Sequence, residues 1–316
     1  MRALLSAFVL IALSTGCSAT RPPAGFTEDS GLGSSGGSSG GSSGSLLGDA
    51  AAIDNGAGCS EAAKLVYVVS DQNDLYSFHP DTLTFTKIGT MHCPAAASAA
   101  PNSMAVDRNG VAWVNFNDGT LFKVSTANAS CQATPFKPGQ HNYGRFGMAF
   151  SSNAAGSTDE TLFVAGIVTN GQPGPPQGQG IATIDLSTFV LTPIGDFSGI
   201  LQGAAAEFTG TGDGRLYGFF TTQPAHLALV DKSTGATSAV ITLGGVSTGT
   251  DWAFSFWGGD FWFYTADTNN NGPGDTTDVT RLKAATDSSL GVVKSQIGFR
   301  IVGAGVSTCA PVTPPK

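Results

Sequence analysis

A pair made of an apolar residue followed by an aromatic one recurs five times, and this repeat constrains the fold more than any other feature of the chain. The five aromatic residues stand 46, 50, 54 and 45 positions apart, and each lies in a short run of residues that favour β-strands. The pairs are Val66-Tyr67, Ala112-Trp113, Leu162-Phe163, Leu216-Tyr217 and Phe261-Trp262. A period of about 45–55 residues indicates a chain built from repeated supersecondary units.

Each pair belongs to a unit with three further strand-like segments, so that a full unit has strands A to D. A short apolar segment such as Met104-Ala105-Val106 precedes the pair as strand A. Two segments follow it as strands C and D, such as Leu75-Tyr76-Ser77-Phe78 and Phe85-Thr86-Lys87-Ile88-Gly89. Four-stranded units of this length resemble the blades of a β-propeller. We therefore expect an all-β, five-bladed β-propeller, with six blades as the alternative count.

The order of the units is circularly permuted. The first unit, from Lys64 to Gly89, offers only strands B to D, and its strand A is the last one of the chain, Ile301 to Ser307. We expect these N- and C-terminal strands to pair in one sheet, which leaves no long free edge. The hairpin sequence Leu75-Tyr76-Ser77-Phe78-His79-Pro80-Asp81-Thr82 is similar to that of the quinoprotein-like and Kelch-like propellers. This resemblance covers about residues 60–310 and implies an architecture rather than an activity.

Four of the five cysteines are expected to form disulfides, and one pair bears on this closure. Cys59 precedes the first strand B and Cys309 follows the last strand A, so a Cys59–Cys309 disulfide is expected to lock the ring. Cys93 follows strand D of one blade and Cys131 lies near strand D of the next. We expect a Cys93–Cys131 disulfide in an exported protein, with two free buried thiols as the alternative.

The N-terminal segment predicts export. Residues 1–16 have a short positive end and an apolar run of about a dozen residues, which is typical of a signal peptide. The sequence Leu13-Ser14-Thr15-Gly16-Cys17 resembles the bacterial lipoprotein signal, although that family prefers Leu where Ser14 stands. The resemblance implies lipid attachment at Cys17 and a cell-envelope location, and Ser18 points to the outer membrane. The alternative is an ordinary cleaved signal with a spare cysteine.

A flexible linker is expected to separate the anchor from the propeller. Residues 17–58 are assigned to this linker, and its central part, 33–45, consists only of Gly and Ser. Such a composition behaves as a random coil, and about forty residues of it span roughly 35 Å on average. The propeller is expected over 59–312, followed by a short tail, 313–316.

The longest loops are expected on one face of the ring, where strands B and C are joined and strand D leads to the next strand A. These loops are Ile167–Gly180, Asp267–Asp278, Thr90–Asn102 and Lys137–Arg145. Long loops at one end of a rigid scaffold commonly carry binding sites. We therefore expect this face, called the long-loop face below, to bind an unknown protein or small molecule.

One of these loops matches a calcium-binding pattern. The stretch 267–278 follows the spacing of an EF-hand loop, with Asp in place of Glu at its last position and no flanking helices expected. The candidate calcium ligands are Asp267, Asn269, Asn271, Pro273, Asp275 and Asp278. The alternative is a polar hairpin loop, since these are also ordinary turn residues.

Glu207 is the one candidate catalytic residue. In strand A of its unit it stands where the other units have a small central residue, so it is expected to face the central channel. There it could bind a cation or act as a base, or it could simply be solvated by channel water. The other acidic residues near the strand ends are Asp107 and Asp251. We favour a binding module over a propeller hydrolase or lyase of the metal-dependent lactonase type, which would need several polar side chains around Glu207. A net charge of −8 without a basic patch argues against nucleic acid as a partner.

Overall fold

The computed structural model describes residues 59–168, 177–266 and 276–314, which form five four-stranded antiparallel sheets. Each sheet is one blade, and the strands of each blade follow. Blade 1 has β1 (Val66–Ser70), β2 (Asp74–His79), β3 (Thr84–Thr90) and β20 (Ile301–Val306), and blade 2 has β4 (Pro101–Val106), β5 (Val111–Phe116), β6 (Leu121–Ser125) and β7 (Cys131–Ala133). Blade 3 has β8 (Arg145–Ser152), β9 (Glu160–Val168), β10 (Gln177–Ile184) and β11 (Leu191–Gly195), and blade 4 has β12 (Ala206–Gly210), β13 (Leu216–Phe220), β14 (Ala225–Val230) and β15 (Thr237–Leu243). Blade 5 has β16 (Asp251–Trp257), β17 (Asp260–Ala266), β18 (Asp278–Leu282) and β19 (Leu290–Lys294).

The ring closes as predicted, with five blades. Strand order in blade 1 is β20-β1-β2-β3, and Val66 pairs with Val306 in the ladder between the two chain ends. The inner strands contact one another in the order β20, β4, β8, β12, β16 and back to β20. Three short 3₁₀ helices, at Ala62–Lys64, Gln140–Asn142 and Gly199–Leu201, complete the regular elements of the described ranges. None of the helices in these ranges is long and apolar enough to cross a membrane.

Both predicted disulfides are present. Cys59 and Cys309 are bonded with their Cα atoms 5.9 Å apart, and the bond ties the start of the propeller to the end of strand β20. Cys93 and Cys131 are bonded with Cα atoms 5.0 Å apart, and this bond links the segment after β3 to β7 of the next blade. The first bond therefore reinforces the closure of the ring, and the second joins two neighbouring blades.

The aromatic residues of the repeat are buried between blades. Trp113 of blade 2 contacts Phe150 of blade 3 with ring centroids 6.3 Å apart, and Trp262 of blade 5 contacts Phe78 of blade 1 at 5.6 Å. Both tryptophans are almost fully buried. Because each aromatic residue fills the space against the adjacent blade, the repeat in the sequence reflects the packing of the ring.

The hairpins between strands C and D are set by local hydrogen bonds. The Asp231 carboxylate accepts bonds from the backbone N–H groups of Ser233, at 2.8 Å, and Thr234, at 3.0 Å. Asp185 makes the same contacts in blade 3, and bonds from Ser187 and Thr188 lower the pKa of its carboxyl to about 2. These side chains satisfy the backbone donors of the turn, so the sequence of each hairpin fixes its own shape.

One predicted loop is shorter than expected. The loop Ile167–Gly180 was expected to join strands B and C, but β9 runs to Val168 and β10 begins at Gln177. Gln177 pairs with Val168, and the ladder has an irregularity between Gly178 and Ile181. Gly178 lies so close to the Ala204 carbonyl group that a side chain would clash there. Strand pairing thus extends into a Gly- and Gln-rich stretch whose composition had indicated a loop.

Candidate functional site

The inner strands form layers around the central channel, and their register corrects the place assigned to Glu207. Thr209 pairs with Tyr217 as Ala105 pairs with Trp113, so Thr209 is the residue of β12 that corresponds to the small central residues. Glu207 lies in the next layer toward the long-loop face. The equivalent residues of the other four blades are Gly303, Ser103, Gly147 and Ala253. Glu207 is thus the single large side chain of a layer of small residues.

The Glu207 side chain extends across the ring. Its Oε2 atom accepts a hydrogen bond of 2.8 Å from the Ser103 hydroxyl of blade 2, although Glu207 belongs to blade 4 and blade 3 lies between them. On blade 3 the backbone N–H of Met148 donates a second hydrogen bond to the carboxyl group. A Cβ atom on Gly147 would stand only 3.0 Å from Glu207 Cδ, so the missing side chain of Gly147 makes room for this crossing.

The environment of Glu207 favours its neutral form. The residue is 2% exposed, and burial raises the pKa of its carboxyl to about 8, against the smaller opposing effects of the bonds from Ser103 and Met148. Removing a carboxylate from water disfavours its charged form more than these two donors stabilise it. At neutral pH the carboxyl group is therefore mostly protonated. The structure thus differs from the expectation of a carboxylate solvated by channel water.

A cavity of about 210 Å³ opens above Glu207 on the long-loop face. It lies where the inner strands begin, and we call it the mouth cavity. All five blades contribute to its polar lining, which includes Asp71, Asn102, Asn117, Arg145, Glu207 and Asp251. Trp252, Ile167 and Val302 supply apolar parts of the wall. The cavity is smaller and more polar than the pockets that usually hold drug-sized ligands, so it suits a small polar ligand.

The two amides of the mouth cavity are held in place by hydrogen bonds to backbone groups and to the Asn115 side chain. Asn102 donates from Nδ2 to the Phe146 carbonyl oxygen at 3.2 Å and to Asn115 Oδ1 at 3.3 Å. Asn117 Oδ1 accepts a bond of 3.1 Å from the Ala100 N–H. Because these contacts fix the amides before any ligand binds, the walls of the cavity are preorganised.

Two arginines at the mouth differ in their partners. Arg300 forms an ion pair with Asp251 and donates a hydrogen bond of 2.7 Å to Thr250. The Arg145 side chain donates no hydrogen bond and forms no ion pair within the described ranges, and its Nε atom, like that of Arg300, is buried without a partner. Burial lowers the pKa of the Arg145 guanidinium, which nevertheless stays charged at neutral pH because its ordinary value is so high.

The remaining predicted residues have different positions. Asp251 lines the mouth cavity with Glu207, whereas Asp107 lies at the opposite end of its strand and accepts a bond of 3.1 Å from Trp113 Nε1. Of the candidate calcium ligands, Asp278 is described, and its Oδ1 accepts a bond of 2.8 Å from the Gln296 N–H. The other five lie in 267–275, outside the described residues, as does Cys17. Within the described part of the chain, no three His, Cys, Asp or Glu side chains are grouped to hold a metal ion.

Sequence reasoning missed Arg145 as a site residue. The sequence places it at the end of the loop Lys137–Arg145, just before the apolar segment Met148-Ala149-Phe150. In the structure it opens inner strand β8 and lines the mouth cavity, because the register of blade 3 brings it opposite Ile167. A signal was available in its position at the start of a strand A on the long-loop face.

Comparisons with known proteins add little to this description. No protein-family model matches the chain, and no curated protein matches it. Among solved structures, a protein of unknown function from Bacteroides caccae is 9% identical with a TM-score of 0.43, over 76% of this chain and 97% of that chain. The Dos1 propeller is 11% identical with a TM-score of 0.42, over 76% and 70%. A gluconolactonase from Xanthomonas campestris is 13% identical with a TM-score of 0.44, over 76% and 74%. The propeller assignment therefore depends on the sheet topology of this chain itself.

Proposed function

We propose that this protein is an exported, membrane-anchored binding module that takes a small polar ligand in the mouth cavity. The observation that supports this best is the cavity itself, which has Glu207 as its floor and fixed amides in its walls. It opens on the face where the long loops emerge, so a ligand can enter from solvent. The Gly/Ser linker and the lipoprotein-like signal are the basis for the membrane anchor.

The alternative is a propeller hydrolase or lyase with Glu207 as general acid or base. A carboxyl group with a pKa near 8 suits proton transfer at neutral pH. However, the hydrogen bonds that Glu207 makes in the described residues, from Ser103 and the Met148 amide, hold the carboxyl group rather than serve a reacting atom. Catalysis needs several converging groups around the acid or base. None of the other polar residues that line the cavity bonds to Glu207 in the described part of the chain, and this arrangement favours binding. If Glu207→Gln abolished turnover of a lactone or ester by the purified protein, the enzymatic alternative would replace our proposal.

The binding role is tested by filling the mouth cavity. Ala100 lines the cavity, and Ala100→Trp is expected to fill it. Ala97 is exposed in the same loop and does not line the cavity, so Ala97→Trp is the matched control. We expect metabolites from a thermal-shift screen of the full-length protein to raise the melting temperature of the wild type and of Ala97→Trp. Equal responses from Ala100→Trp would show that the ligand binds elsewhere.

The anchor is tested separately at Cys17. Cell fractionation and labelling with a radioactive fatty acid are expected to place the wild-type protein in the membrane fraction with a covalent lipid. Cys17→Ser is expected to lose the label and to appear in the soluble fraction, because one attached chain contributes about 0.8 kcal/mol per buried CH₂ group to membrane binding. Retention of Cys17→Ser in the membrane would contradict lipid anchoring.

A further inference from the structure

We propose that the ligand of the mouth cavity is a small monocarboxylate whose carboxylate group binds Arg145. This inference depends on the proposed function, since it names the chemical class of the ligand for the same cavity. Its starting point is Arg145, which lines the cavity and has no partner among the described residues. A guanidinium group presents a planar fork of donors that matches a carboxylate, and it is costly to leave unpaired when partly buried.

The direction of the Arg145 side chain follows from the strand. Residues two apart in a β-strand point to the same face, so Arg145 and Gly147 share one face of β8, where the pairing with β9 is regular. On that face Gly147 lies against the Glu207 carboxyl group. Arg145 therefore emerges one layer nearer the opening than Glu207. A ligand that enters the mouth meets the guanidinium group before it reaches the floor.

The charges around the cavity limit the ligand to at most one negative charge, which would lie at Arg145. Asp251 is paired with Arg300, so this pair has little net charge. The Asp71 carboxylate in the wall repels an anion, whereas Arg145 supplies a positive charge that has no partner among the described residues. A phosphate or sulfate dianion commonly needs several cationic groups or a helix N-terminus, and the described lining offers neither. A monoanion thus fits this balance better than a dianion.

The size of the cavity limits the ligand further. A cavity of roughly 150 Å³ accepts benzene. The mouth cavity, at about 210 Å³, therefore suits a ligand of roughly six to ten non-hydrogen atoms. Trp252 and Val302 line part of the wall and can contact a short apolar body. Short aliphatic or aromatic acids meet these conditions.

Glu207 adds a dependence on pH. With its pKa raised to about 8 by burial, the carboxyl group is neutral at pH 7 and adds no repulsion to a bound anion. As the pH rises through about 8, Glu207 ionises and the floor of the cavity becomes negative. The charged groups that face the same cavity are Asp71, Arg145 and the Asp251–Arg300 pair. Binding of a carboxylate is therefore expected to weaken about tenfold between pH 7 and 9.

The test measures binding of benzoate, propionate and pyruvate to the full-length protein by calorimetry, at constant ionic strength. Benzamide and propionamide are the neutral analogues, and sulfate is the dianion control. Arg145→Gln is expected to weaken carboxylate binding by about tenfold or more, because it removes a charge-assisted hydrogen bond. Lys137→Gln removes a positive charge from an exposed position of the same loop and is expected to bind like the wild type. Glu207→Gln is expected to keep its affinity from pH 7 to 9.

Several results would overturn this inference. Unchanged carboxylate binding in Arg145→Gln, or sulfate binding as tight as benzoate binding, would reject the monocarboxylate. Neutral analogues that bind the wild type and fail to bind Ala100→Trp would reject the carboxylate while leaving the mouth cavity as a binding site. Carboxylate binding that survives in Ala100→Trp would reject the cavity and the proposed function together. Thermal unfolding of each variant shows whether it is folded before its affinity is compared.

Discussion

The Glu207→Gln variant tests the physical account of the channel most directly. In the folded protein burial raises the pKa of Glu207 from 4.5 to about 8, whereas in the unfolded chain the carboxyl group returns to its ordinary value. Below about pH 4.5 both states hold the proton and no penalty arises. As the pH rises from about 4.5 to 8, the unfolded chain ionises and the folded protein keeps its proton. Stability is therefore lost over this window and stays constant above it.

The size of the effect follows from the same shift. One pKa unit corresponds to about 1.4 kcal/mol, so the wild-type protein loses roughly 5 kcal/mol at most between pH 4.5 and 9 through this one group. The amide introduced by Glu207→Gln would be neutral at every pH, and its oxygen could still accept the hydrogen bond from the Ser103 hydroxyl. The variant is thus expected to match the wild type near pH 4.5 and to be several kcal/mol more stable at pH 9.

The assay is urea denaturation of both proteins at pH 5, 6, 7, 8 and 9, without reductant so that the disulfides stay intact. The quantity of interest is the difference in unfolding free energy between variant and wild type. Glu160 also has a raised pKa, about 7, because of burial near the Arg108 backbone, but its contribution cancels in this difference. A difference that stays constant within about 0.5 kcal/mol from pH 5 to 9 would refute the view that Glu207 is buried and protonated.

Three further predictions concern stability. Gly147→Ala is expected to lower the free energy of unfolding by roughly 1–3 kcal/mol, because its Cβ atom would clash with the Glu207 backbone. Gly144 has open space around it, so Gly144→Ala is expected to leave the stability unchanged. Equal effects of the two substitutions would contradict the passage of the Glu207 side chain over Gly147. Replacing Cys59 and Cys309 by Ser should destabilise more than removing the other disulfide, by roughly 5 against 4 kcal/mol, because their sequence separation is 250 rather than 38. If the loop 267–278 binds calcium, excess calcium should raise the melting temperature of the wild type but not of Asp267→Ala. An unchanged melting temperature of the wild type would refute this calcium site.

Several features of the fold could be predicted from the sequence because they have local causes. The apolar–aromatic pairs recur at the period of a blade, since each aromatic residue fills the same gap against the next blade. The permuted order of strands placed Cys59 and Cys309 at the ends of paired strands, and the disulfide follows from that pairing. Turn residues marked the hairpins because their side chains bond to their own backbone.

The candidate site could be predicted only in part. Glu207 stood out because a charged residue interrupted an apolar strand, but its register was misjudged, since neighbouring residues of β12 do not reveal which of them pairs with Tyr217. Asp107 and Asp251 looked alike as acidic residues near strand ends. The sheets show the difference: Asp251 begins its inner strand at the mouth cavity, whereas Asp107 follows the far end of its own inner strand.

The sequence by itself therefore determined the blade and the closure of the ring, since strand period, turn chemistry and cysteine position are properties of short segments. The choice between five and six blades was made by the structure. Only the tertiary structure decided what lies in the channel. Ser103, Gly147 and Glu207 belong to three different blades, and the burial that keeps Glu207 neutral exists only where those blades meet. The sequence likewise could not show that the Arg145 side chain has no partner among the described residues. Its burial and the charges around it depend on every strand that meets at the mouth cavity.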